Sequence, residues 1–120
     1  MGNNQVFKIK RNDTLPALKL NIMTTDRLGS KTGYDLTEVT GATFTMIEDK
    51  CNCAKVYAQS AEITCYSGGT LQYNWSNGDT DTSGTYLGEF ELNFSDGTRM
   101  SVPPIGGIRI EIIDDLNSFN

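Results

Sequence analysis

Apolar residues recur at every second position along most of this chain, a period that leaves little room for anything but β-strands. Tyr86, Gly88, Phe90, Leu92 and Phe94 form the longest such set. Ala42, Phe44 and Met46 share a face opposite Thr43 and Thr45. Leu71, Tyr73 and Trp75 alternate after the turn Ser67-Gly68-Gly69, and Ile108, Ile110 and Ile112 close the series. Side chains alternate across a strand, so each set turns one apolar face toward a core. Val6 begins a short first strand, and Leu18, Leu20 and Ile22 follow the turn at 11–16. Ser95-Asp96-Gly97 is a hairpin turn of the Asp-Gly kind. Pro103 and Pro104 stop the strand of Met100 and Val102, because proline cannot donate to a ladder. Helical spacing of apolar residues is nowhere sustained, and Thr and Gly are frequent.

Turn signals about every 8–12 residues predict an all-β fold, an immunoglobulin-like antiparallel β-sandwich of about seven to nine strands without an inter-sheet disulfide. The chain has 120 residues, enough for one domain over 1–120, with 1–4 and 114–120 expected as flexible tails. At 38% hydrophobic and 21% charged it is globular in composition. No apolar run approaches the roughly 20 residues of a membrane span. The opening MGNNQVFKIK shows no apolar signal region and no myristoylation pattern.

The net charge of −5 and pI near 4.5 argue against a nucleic-acid partner. Lys8, Lys10 and Arg11 form the only basic cluster and read as a solvated edge. The chain has no histidine, which removes Ser-His-Asp and Cys-His nucleophile systems and the commonest metal ligand. Paired carboxylates are the remaining catalytic route, but Glu89 and Glu91 fall on the outward side of an alternating strand, and a small sandwich offers little cleft. No enzymatic activity and no cofactor are expected.

The stretch 77–91 first suggests calcium. Asn77, Asp79 and Asp81 have the spacing of the first, third and fifth ligands of a calcium loop. Thr82 stands where the sharp turn needs glycine, and Gly88 where the bidentate glutamate belongs, so the pattern fails. The same residues fit a tyrosine corner, with Gly84 and Tyr86 at the required offset and the hydroxyl of Tyr86 bonding backbone upstream. Trp75, Gly84, Tyr86 and Phe90 are therefore structural candidates, and Asp79 and Asp81 candidates for contact with a neighbouring subunit.

Cys51, Cys53 and Cys65 cannot all pair within the chain. Zinc bound by the three would need a fourth ligand, for which Glu48 or Asp49 is at hand. A disulfide from Cys65 to Cys51 or Cys53 is a second arrangement. Free thiols are the expectation.

Four segments together resemble the immunoglobulin-like virion proteins of tailed bacteriophages, of the baseplate-upper-protein N-terminal-domain-like family. They are FKIKRNDTLPALKL (7–20), YDLTEVTGATFTM (34–46), LQYNWSNGDTDTSGTYLGEFELNFSDG (71–97) and VPPIGGIRIEI (102–112). Asp13 in the first and Pro103 in the last join the structural candidates. The resemblance implies a non-enzymatic structural or adaptor protein of the phage particle, joining or decorating tail, baseplate or neck. Capsid decoration, or binding of carbohydrate or a host surface, are its alternatives. It implies virion proteins and further copies of the chain as partners, no membrane, and a location in the virion after assembly in the host cytoplasm. The segment EDKCNCAKVYAQ (48–59) departs from the family, so the resemblance says nothing about the cysteines.

Overall fold

The structure, a computed structural model, describes residues 6–104 and 106–114, so of the expected tails 1–4 and 114–120 all but Asp114 lie outside the described residues. Ten strands follow in order: β1 (Val6–Lys10), β2 (Leu18–Asn21), β3 (Met23–Thr25), β4 (Lys31–Gly33), β5 (Val39–Glu48), β6 (Ala54–Cys65), β7 (Thr70–Tyr73), β8 (Gly84–Phe94), β9 (Arg99–Val102) and β10 (Ile108–Ile113). No helix occurs among the described residues. The all-β fold expected from the period is present, as one curled sheet approaching a barrel.

Eight strands run in the order β1-β10-β8-β5-β6-β7-β2, with β9 on the outer half of β8. β1 pairs with β10 in parallel, which makes the sheet mixed, while every other pairing is antiparallel. β8 lies along β5 over nearly its full length and divides its other edge between β10 and β9.

The curl has a local cause in β6. This strand pairs with β5 through Ala61, then with β7 from Glu62. Between Phe44 and Met46 the β5–β6 register shifts, and Ala58 opposite that shift takes φ 49°. Its N–H leaves the ladder and donates to Thr45 Oγ1 at 3.0 Å. A bulge of this kind bends and twists the strand that carries it. One 12-residue strand thereby serves two partners.

The inward rows meet in one core. Phe44, Met46, Phe90, Leu92, Leu71 and Ile110 are fully buried, with Tyr73 and Tyr86 nearly so. Phe44 stacks on Tyr73 with centroids 4.6 Å apart and meets Phe90 at 5.1 Å and Trp75 edge-on at 5.9 Å. Gly88 keeps its place in the inward row of β8 because a Cβ there would lie 2.8 Å from both Phe44 Cζ and Ile110 Cδ1. The polar connection 23–41 contains the β3–β4 ribbon and also Leu36, which is completely buried.

Candidate metal centre at the hairpin tip

The β5–β6 hairpin brings three metal-ligating side chains together. Glu48 is the last residue of β5, and Cys51 and Cys53 lie in the turn before β6. A carboxylate oxygen of Glu48 and the two sulfurs fall within 4.8 Å of one another, and all three residues are exposed. The turn is closed by backbone: Glu48 N–H donates to the Cys53 carbonyl at 2.8 Å, and Asn52 N–H to the Glu48 carbonyl at 2.9 Å. Asn52 takes φ 57°, a left-handed conformation that asparagine tolerates better than most residues. Asp49 N–H donates to the Thr85 carbonyl at 3.0 Å, which ties the tip to β8.

At the sulfurs, Cys53 N–H donates to Cys51 Sγ at 3.1 Å, and Cys51 Sγ lies 3.0 Å from Glu48 Oε1. Cys51 and Cys53 form a disulfide, their Cα atoms 5.2 Å apart and within the usual span of such bridges. As thiols, Cys51 would donate to the carboxylate; as a disulfide it has no proton to give, and the 3.0 Å separation is a contact only. The expectation of free thiols is thus corrected for this pair. The bridge from Cys65 is excluded by distance: Cys65 ends β6, roughly 40 Å of strand from Cys53 at about 3.3 Å per residue. Cys65 is free and exposed. Of the sequence-level zinc ligands, Glu48, Cys51 and Cys53 converge, and Asp49 and Cys65 do not join the group.

The other candidates occupy structural positions. Tyr86 is buried and its hydroxyl donates to the Thr82 carbonyl at 2.8 Å. Gly84 takes φ 150° just before it. Trp75 is buried, with Nε1 donating to the Pro16 carbonyl at 3.1 Å. Phe90 is in the core, and Pro103 follows the end of β9. Asp13 is exposed; its carbonyl accepts from the hydroxyl of buried Thr80 at 2.8 Å.

Asp79 turns inward. Its Oδ2 accepts from the Tyr73 hydroxyl at 2.6 Å and from Ser76 N–H at 2.9 Å. Asp81 pairs with Lys55 of β6 and accepts from Thr82 Oγ1, and the bond from Lys55, seconded by that from Thr82, holds its carboxyl below the usual range. Both acids offered for a subunit contact are engaged within their own chain. Glu91 pairs with Arg99 at 3.6 Å on the outer face.

A second concavity, of about 550 Å³, opens between the β3–β4 ribbon and the β8–β9 turn, rimmed by Asp35, Glu38 and Asp96. Its acids are satisfied locally. Asp35 accepts from Thr37 N–H, Glu38 from Ser95 Oγ, and Asp96 from both the hydroxyl and the N–H of Thr98. The bonds from Thr37 to Asp35 and from Thr98 to Asp96 lower the pKa of each acid.

Fold and site together define an all-β, barrel-like scaffold with an exposed Cys-x-Cys hairpin. Among solved structures the chain is similar to CopC from Methylosinus trichosporium OB3b, with a TM-score of 0.52 and 12% identity over 90% of this chain and 83% of that one. No protein-family model and no curated protein matches the sequence. A likeness at this identity concerns the fold.

These findings correct the phage reading. The family resemblance finds no matching family, and the fold leads to CopC instead. With it go the baseplate, tail, neck and capsid-decoration roles, the glycan or host-surface alternatives, and the virion location. The physical reason is that alternation, Asp-Gly turns and a Tyr bonded four residues upstream are common devices of β-sheet construction. They recur across sandwiches and barrels of unrelated function.

Proposed function

We propose that this protein is a non-enzymatic metal-binding protein, holding a thiophilic cation, copper(I) or zinc(II), on the reduced β5–β6 hairpin through Cys51, Cys53 and Glu48. The observation that carries this reading is the convergence of two sulfurs and a carboxylate within 4.8 Å on one exposed turn. Thiolates select copper(I) and zinc among biological cations, and a carboxylate is an ordinary additional zinc ligand. Sequence reasoning asked for four ligands, as a structural zinc site requires, and so discounted a metal. Three donors with an open coordination position suit a cation that is taken up and passed on, and exposure of all three provides the entry path. The barrel shared with CopC and the lack of histidine support the non-enzymatic half of the reading.

The test is anaerobic titration of the fully reduced protein with copper(I) or zinc(II) against a chromogenic chelator. A single equivalent should bind, and Cys51→Ser/Cys53→Ser should weaken binding by at least about a hundredfold, more than changes outside the ligand set cost. Failure of reduced protein to compete for either cation, or binding unchanged in the double variant, would refute the proposal.

A further inference from the structure

The two sulfurs proposed as ligands are the two that form the disulfide. Resting on the metal-binding reading above, we infer that the hairpin is a redox gate. The dithiol form holds the cation, and oxidation to the Cys51–Cys53 disulfide expels it without unfolding the barrel.

Three features of the tip carry this. First, the donors are shared, so the two states exclude one another. A disulfide sulfur offers no thiolate, and Glu48 alone, on an exposed turn, is a poor site for a soft cation. Second, apart from the Cys53 N–H that donates to Cys51 Sγ, the hydrogen bonds that shape the turn run through backbone. Glu48 to Cys53, Asn52 to Glu48 and Asp49 to Thr85 can all persist in either state. In the bridged form the Cα atoms are 5.2 Å apart, within the usual span of a disulfide, so the bridge fits this backbone-bonded turn. Third, the third cysteine is at the far end of β6 and cannot divert the exchange within the chain.

The chemistry balances with a small-molecule disulfide as oxidant. One hairpin thiolate leaves the cation and attacks a sulfur of the oxidant, forming a mixed disulfide and releasing the first oxidant thiolate. The other hairpin thiolate then attacks the bound sulfur, closes the Cys51–Cys53 bond and releases the second. Both protein sulfurs are oxidised, the oxidant disulfide is reduced to two thiolates that take protons from solvent, and the cation departs with its charge unchanged. A dithiol reductant reverses the sequence.

Zinc is the probe of choice because it has no redox chemistry of its own. Cys65→Ser protein, loaded with zinc under anaerobic conditions, is exposed to oxidised glutathione while a chromogenic chelator reports free zinc. The tryptic peptide 51–55 reports the state of the two cysteines by mass. Zinc should appear in step with the intrapeptide disulfide, far-ultraviolet circular dichroism should not change, and dithiothreitol should restore binding. Zinc retained after the 51–53 bridge has formed would overturn the gate while leaving metal binding intact. So would release accompanied by loss of the β spectrum, or by stable glutathione adducts in place of the bridge. Reduced protein that takes up no zinc or copper(I) at the outset would overturn both proposals.

Discussion

Tyr86 brings a hydroxyl into the interior, and the Thr82 carbonyl four residues upstream accepts its proton at 2.8 Å. Removing that oxygen leaves a part-buried carbonyl without its donor, and the penalty for such a group exceeds the net gain of an average hydrogen bond. Tyr86→Phe should lower stability by about 1–3 kcal/mol, read as a shift in urea midpoint at unchanged slope. An unchanged midpoint would show that the hydroxyl contributes nothing. Asp79 works in the same way from the opposite side. It is the acceptor that lets Tyr73 be buried with its polar tip satisfied. The stretch 79–82 thus supplies the polar partners of two buried tyrosines, the Asp79 carboxylate for Tyr73 and the Thr82 carbonyl for Tyr86.

At the level of elements, β8 pairs with three strands, β5, β9 and β10, and Gly88 marks its tightest point. Neighbouring strands fill its space with the ring of Phe44 and the end of Ile110, both fully buried and with little freedom to retreat. Gly88→Ala should therefore destabilise by about 1–3 kcal/mol through overpacking, despite alanine's better strand entropy. Chemical denaturation checks this directly, and a neutral or stabilising result would mean that the core yields there. The β5–β6 hairpin is placed by the same strand: Glu48 lies opposite Tyr86, and Asp49 bonds Thr85. The candidate metal centre and the tyrosine-bearing strand start are consequently one end of the molecule, further joined by the Lys55–Asp81 ion pair.

For the whole molecule, the buried tyrosines set a pH limit. Burial, reinforced by the hydrogen bond to Asp79, raises the Tyr73 pKa, and burial raises that of Tyr86. An unfolded tyrosine loses its proton near pH 10, whereas these two retain theirs in the folded state. Above about pH 10 the native state therefore binds more protons than the unfolded state, and stability falls as pH rises. Below that pH the contribution is fully present. Urea midpoints should hold steady up to about pH 9 and decline beyond pH 10, and Tyr73→Phe should show a shallower decline. Identical alkaline slopes for the two proteins would exclude Tyr73 as a source.

Much of the fold was legible from residue order because strand burial has a period of two and turns have their own chemistry. The rows Ala42-Phe44-Met46 and Tyr86-Phe90-Leu92 are inward as the alternation implies. The burial of Leu36 was not legible, since it stands alone in a polar connection with no period around it. The parallel pairing of β1 with β10 was not legible either, because long-range strand order leaves no local trace. The site divides in the same way. Sequence alone determined that three cysteines and no histidine were available, so a site for a soft cation would have to rest on thiolates. Only the tertiary structure decided which cysteines meet. A left-handed residue at Asn52 turns Cys51 and Cys53 toward each other beside Glu48, while the extended length of β6 carries Cys65 beyond their reach.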